Sequence, residues 1–133
     1  MKDLTALLND EGTSVAVVGA TDDPAKYGSV IYRDLKRKGF RVYPVNRTRS
    51  HVDGDVAYPR LADVPETPTV VNIVVPPDQT IEVVREAHDL GLHNIWVQPG
   101  AESPSVLRFL QEKGLNYVAN SCIMVRSRLA AHR

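Results

Sequence analysis

Two patterns and one spacing predict an α/β fold built on a doubly wound parallel sheet. Short runs rich in valine and isoleucine alternate with segments of helical spacing. Those runs are apolar almost throughout rather than at every second residue, as strands covered on both faces must be. Gly39, Gly91 and Gly114 each stand a few residues before such a run, the length of a short helix-to-strand loop. The chain has 133 residues, the size of one ordinary domain, and residues 1–133 are read as one.

Ser14–Val18, closed by Gly19, is the first expected strand. After a polar loop, Ser29 is the expected cap of a helix that carries Ile31 and Leu35. It ends on Lys36, Arg37 and Lys38, cations suited to the negative helix end. Arg41–Val45 is the second strand. Val56–Tyr58 is too short for the middle of a sheet and is read as an edge strand, with a brief helical crossover at Leu61–Val64. Val70–Val75, interrupted only by Asn72, is the most apolar stretch and the expected central strand. Asp78 is read as the cap of a helix carrying Ile81, Val84, Ala87 and His88. Ile95–Val97 is the next strand. Ser103 and Pro104 supply a cap and a first-turn proline for a helix running through Leu107 and Leu110 to Lys113. Tyr117–Val118 is the last strand, and Ile123–Leu129 is read as a closing helix.

Returning the long apolar strand to the middle gives the strand order 3-2-1-4-5-6 with right-handed crossovers, a Rossmann-like sheet. In that order the loops after Val18 and Val75 are neighbours at the carboxyl ends of the central strands, where open α/β sheets bind their ligands.

Composition narrows the function. Apolar residues are 43% and charged residues 24%, near globular averages, which excludes a disordered chain. Sixteen basic and 16 acidic side chains leave a formal charge of zero, so bulk attraction to nucleic acid is not expected and any anion site is local. No run is long enough to span a membrane, and Met1–Leu4 lacks the apolar start of a signal peptide, so a cytoplasmic protein is expected. The single cysteine, Cys122, excludes an internal disulfide and is read as a partly buried thiol. His51, His88, His93 and His132 lack metal-ligand spacing, and neither a hydrolase, a zinc-protease nor a Walker pattern occurs. No catalytic constellation and no metal site is expected.

The loops at the expected ligand edge carry the remaining chemistry. Gly19-Ala20-Thr21 follows the first strand and Gly28 precedes the helix, so backbone N–H groups and a positive helix end face the crevice and suit a phosphate. Lys26 and Tyr27 place a cation and a ring over the same point. After the second strand come Asn46, Arg47 and Arg49, where an NAD site wants a carboxylate for the ribose hydroxyl. Arginines favour a ribose phosphate instead, as in NADP or coenzyme A. Val75-Pro76-Pro77 offers a smooth apolar wall. Gln98-Pro99-Gly100 and Asn120-Ser121-Cys122 end the later strands at the same rim. Each piece also has a plainer reading: a structural turn at Gly19, solvated Lys26, Arg47 and Arg49, and helix initiation at Pro76 and Pro77. Their convergence on one rim is the stronger signal.

Together these residues resemble the CoA-binding Rossmann domain family. The resemblance rests on Ser14-Val15-Ala16-Val17-Val18-Gly19-Ala20-Thr21, Pro24-Ala25-Lys26-Tyr27-Gly28, Val42-Tyr43-Pro44-Val45-Asn46, Ala57-Tyr58-Pro59 with Leu61-Ala62-Asp63-Val64-Pro65, and Ile95-Trp96-Val97-Gln98-Pro99-Gly100. It covers residues 12–125 and is nearest to small stand-alone bacterial members. It also extends to the nucleotide-binding part of succinyl-CoA synthetase α subunits and ADP-forming acyl-CoA synthetases. What it implies is coenzyme A with its pyrophosphate on Gly19–Thr21 and the helix behind Gly28. Lys26 and the basic segment after Asn46 would then meet phosphates, and Val75-Pro76-Pro77 would flank the adenine or pantetheine. There are two departures: Arg47 stands where the family usually has proline, and Asn120-Ser121-Cys122 where it tends to have Asp-Arg-Cys. The synthetases use further domains that 133 residues do not hold, so non-catalytic binding of CoA or a short acyl-CoA is expected. The alternatives are an NADP-dependent oxidoreductase and the CoA-binding subunit of a separately encoded acyl-CoA synthetase.

Overall fold

The computed structural model describes residues 3–129. Five parallel strands form the sheet: β1 (Ser14–Val18), β2 (Arg41–Val45), β5 (Val70–Ile73), β6 (Asn94–Val97) and β7 (Asn116–Val118), in the order β2-β1-β5-β6-β7. A separate antiparallel hairpin joins β3 (His51–Val52) to β4 (Asp55–Val56). The helices are α1 (Leu4–Leu8), α2 (Tyr27–Arg37), α3 (Pro77–Asp89), α4 (Pro104–Glu112) and α5 (Ile123–Arg126), with a 3₁₀ turn at Leu61–Asp63. None of the described helices is long and apolar enough to cross a membrane.

Alternate residues of the strands feed two cores. Val15 and Val17 of β1 face a layer that includes Leu8 of α1, Ile31 and Leu35 of α2, and Ile123 of α5. Ala16 and Val18 face the other layer, with Val84 of α3 and Val106 and Leu110 of α4. The sheet is therefore covered on both sides, which explains why its strands read as continuous apolar runs. Trp96 is fully buried in β6, and its indole N–H donates to the Ser121 carbonyl at 2.8 Å.

The expected edge strand at Val56–Tyr58 is corrected by the structure. Asp53 and Gly54 both take positive φ, 51° and 81°, and turn the chain back so that Val56 pairs with His51 in the hairpin. Tyr58 does lie beside β2, but only as a single parallel bridge to Val45. Pro44 sets this limit. Its carbonyl accepts from the Tyr58 N–H at 2.9 Å, so its missing N–H belongs to that same outer edge and the ladder cannot continue. The order of the other strands is as expected, with the third position left to the bridge.

Helix starts differ too. Ser29 is buried inside the first turn of α2 rather than capping it, and α3 begins at Pro77 with Pro76 in the cap position rather than Asp78. The closing helix is four residues long and stops at Arg126. Ser103 caps α4 as expected, its hydroxyl accepting from the Val106 N–H at 3.2 Å. The short helix α1, capped by Asp3, was not expected.

Candidate functional site

Two glycines bring the site together. A Cβ on Gly19 would lie 2.9 Å from a methyl of Val74 and 3.0 Å from one of Val75, so the loops after β1 and β5 touch only because this position has no side chain. Its φ of 105° independently favours glycine. A Cβ on Gly28 would sit within 1.9 Å of the Gly19 carbonyl oxygen, which only hydrogen allows. The start of α2 is thereby pressed directly onto the end of β1.

The resulting cleft has a volume of about 1670 Å³. Its walls come from the ends of β1, β2, β5 and β6, from α3, and from Cys122. Of the residues singled out in the sequence, Gly19, Thr21, Lys26, Tyr27, Gly28, Asn46, Arg47 and Arg49 line it, as do Val75, Pro76, Pro77, Gln98, Pro99 and Gly100. Ala20 does not. It is fully buried, and its carbonyl accepts from the Asn46 side-chain amide at 2.8 Å.

The start of α2 is the electropositive point of this cleft. Its first N–H groups have no acceptor within the helix. Lys26, the cap residue, makes no side-chain cap, and no acidic residue lies in the first turn. Lys26 is exposed and makes no ion pair among the described residues. Tyr27 beside it is 67% exposed. Cation and helix dipole therefore reinforce one another at one spot, the arrangement that attracts an anion.

Two predicted residues have structural roles in their side chains. The Asn46 carbonyl oxygen accepts from the N–H groups of Thr48 and Arg49, each at 2.9 Å, while its amide reaches Ala20, so it shapes the loop after β2. Gln98 is 4% exposed, and its oxygen accepts from the Ile123 N–H at 2.8 Å and the Asn72 amide at 3.2 Å. Its own amide donates to the Cys122 sulfur at 3.3 Å. Cys122 is partly buried, as expected.

The wall provided by α3 was missed. Glu82, Arg85, Glu86 and Asp89 all line the cleft, as does Arg60 from the segment before the 3₁₀ turn. Arg47 pairs with Glu82 at 2.9 Å, Arg60 with Glu86 at 3.3 Å, and Arg49 approaches Asp22 at 4.0 Å. A four-residue spacing of glutamates on a helix opposite an arginine-rich loop was the available signal. Among the described residues no group of three or more potential ligands could hold a metal ion.

Beside the cleft, the β3–β4 hairpin is fastened to α2. The Tyr32 hydroxyl donates to Asp55 at 2.5 Å, and Lys36 pairs with Asp55 at 2.9 Å and Asp53 at 3.1 Å. Burial and the Asp55 carboxylate push the Tyr32 hydroxyl well above its ordinary pKa. Burial alone would raise Asp55, but the Tyr32 hydroxyl and the Lys36 ammonium outweigh it and hold the carboxyl below its usual range.

Comparison with known proteins bears on this cleft. A conserved hypothetical protein from Pyrococcus furiosus has a solved structure with 42% identity and a TM-score of 0.82, covering 85% of this chain and 97% of that one. The Bacillus subtilis protein YneT is 26% identical over 84% of this chain and 82% of its own length. The α subunit of acetate–CoA ligase [ADP-forming] II from Pyrococcus furiosus is 25% identical over 82% of this chain. The match spans only 26% of that subunit. The profile of the CoA binding domain matches residues 13–128, a span that contains every part of the cleft described above. The chain belongs to the CoA binding domain family.

Proposed function

We propose that this chain is a one-domain cytoplasmic module that binds coenzyme A, or a short acyl-CoA, in the cleft between β1 and β5 without catalysing a reaction by itself. The observation that carries this reading is the start of α2: uncapped, free of acidic residues in its first turn, and flanked by exposed Lys26. A pyrophosphate there supplies the acceptors that the helix N–H groups lack. Arg47 and Arg49 stand on the β2 side, where the ribose phosphate lies in this reading. Val75, Pro76 and Pro77 give the apolar wall, and Gln98, Pro99, Gly100 and Cys122 put no charged side chain on the far side. Little discrimination among short acyl groups follows.

Isothermal titration tests it. CoA binds, and dephospho-CoA binds more weakly because it lacks the 3′-phosphate; one lost charge-assisted contact is worth about 1.5–3 kcal/mol. Equal affinities would remove the role given to Arg47 and Arg49, and preferential stabilisation by NADPH would favour an oxidoreductase instead. The similarity to one part of a ligase subunit supports a second reading, that the module presents CoA to a separately encoded synthetase. Co-purification with an ATP-grasp protein checks that reading.

A further inference from the structure

The two arginine–glutamate pairs that join α3 to the chain between β2 and β5 are not equivalent. Glu82 and Glu86 are four residues apart on α3 and both line the cleft, so they stand one above the other on the same side of the helix. The Glu86 side chain is only 25% exposed and takes two donors, the Arg60 guanidinium at 3.3 Å and the Ala62 N–H at 3.4 Å. It fastens the 3₁₀ turn to the helix. Glu82 takes the Arg47 guanidinium at 2.9 Å, and the two side chains are 65% and 64% exposed. One pair is built into the scaffold; the other lies in solvent and can open.

The geometry points to Glu82 as a residue that sets ligand discrimination at the cleft by competing for Arg47. The inference rests on the reading of the cleft as a CoA site in which Arg47 meets the ribose phosphate. In the free protein that guanidinium is held by a carboxylate across the cleft. Engaging it is therefore an exchange of carboxylate for phosphate, not simple capture. A phosphate monoester wins the exchange because it carries close to two charges and more acceptor oxygens. A nucleotide without the ribose phosphate leaves the Arg47–Glu82 pair closed and is indifferent to Glu82. This carboxylate thus weakens the phosphorylated ligand selectively and keeps its binding reversible.

Calorimetric titration of CoA and dephospho-CoA into four proteins tests the inference: wild type, Glu82→Gln, Arg47→Ala and the double variant. Glu82→Gln should bind CoA roughly two- to fivefold tighter, the worth of an exposed ion pair, with dephospho-CoA unchanged. In the Arg47→Ala background the same substitution should change neither affinity. A gain that persists without Arg47, or is equal for both ligands, would show a general charge effect and overturn the inference. So would the absence of any gain with CoA. Failure of the wild type to bind CoA at all would instead remove the underlying reading of the cleft, and this inference with it.

Discussion

Helices α2 and α4 begin in opposite ways. Both have a cap residue in extended backbone, Lys26 at φ −107° and Ser103 at φ −149°. Ser103 uses that position as local rules favour, its hydroxyl accepting from Val106 and Pro104 opening the first turn. Lys26 does the reverse, placing a cation against the positive helix end and capping nothing. The choice costs α2 about 1 kcal/mol relative to a serine or aspartate cap. The difference separates a helix start made for stability from one left open at the cleft. A site that breaks a local rule with no compensating contact in the fold is a site where a ligand is expected to supply the missing partner.

The start of α2 depends most on Gly28. Gly28→Ala forces a methyl onto the Gly19 carbonyl oxygen, where a Cβ would stand at 1.9 Å. The expected loss is at least about 3 kcal/mol, the upper range of overpacking, with α2 displaced from the cleft and CoA affinity lost together. Denaturant unfolding measures the first and calorimetry the second. The same substitution at Gly114, which follows the last turn of α4, meets open space and a φ of 66°. It should cost only about 1–2 kcal/mol and leave binding unchanged.

Lys26→Asp reverses the charge at the start of α2. It gives α2 the kind of cap α4 already has, so the free protein should become more stable by about 0.5–1 kcal/mol. CoA affinity should fall by about tenfold or more, because a charge-assisted contact is lost and a repulsive carboxylate replaces it. Stability and binding moving in opposite directions is the signature; if both fall, Lys26 has a structural role instead. Ser103→Ala is the complementary change. It should cost about 1 kcal/mol in chemical denaturation and leave CoA affinity untouched.

An effect on stability alone lies at the hairpin beside α2. Tyr32→Phe deletes the donor to Asp55 and should cost about 1 kcal/mol near neutral pH. Asp55 is held below its ordinary pKa, so its contribution is fully present above the unfolded value of about 3.9 and is lost as pH falls through the folded one. Without Tyr32 that folded value rises, and acid unfolding should begin at a higher pH than in the wild type. An unchanged acid limb of the stability–pH curve would show that the bond to Asp55 contributes nothing. Lys36 works at the other end of the scale. Its bonds to Asp55 and Asp53 hold its pKa above the ordinary value, so its contribution persists through neutral pH and fades only as pH rises through that raised value.

The sheet was legible because period and polarity agree in it. Continuous apolar runs at β1 and β5 and the glycines after α2, α3 and α4 leave few other arrangements, and a parallel order then fixes which loops meet. The hairpin was hidden because two-residue arms are too short to show alternation, although Asp53-Gly54 is a turn signature. The edge strand failed at Pro44, whose missing donor matters only once the outer edge of β2 is known. Ser29 and Asp78 were read as caps from residue type alone, whereas α2 starts where Gly28 meets Gly19. In the site, residues at strand ends were readable from topology. The Glu82 and Glu86 pairs were not, since their arginines lie 35 and 26 residues away in sequence. Asn46 and Gln98 line the cleft, but which way an amide's bonds run, inward to Ala20, Ile123 and Cys122, is settled by packing.

Backbone amide shifts during a CoA titration report on the start of α2 residue by residue. The N–H resonances of Tyr27 and Gly28, at the open start of α2, should move strongly and saturate together with Thr21 in the adjoining loop. That of Val106, already bonded to Ser103 at the start of α4, should stay in place. Saturable binding with Tyr27 and Gly28 unmoved, or with the largest shifts around Val106, would contradict the account, because CoA would then bind elsewhere than at the helix end that the fold leaves uncapped.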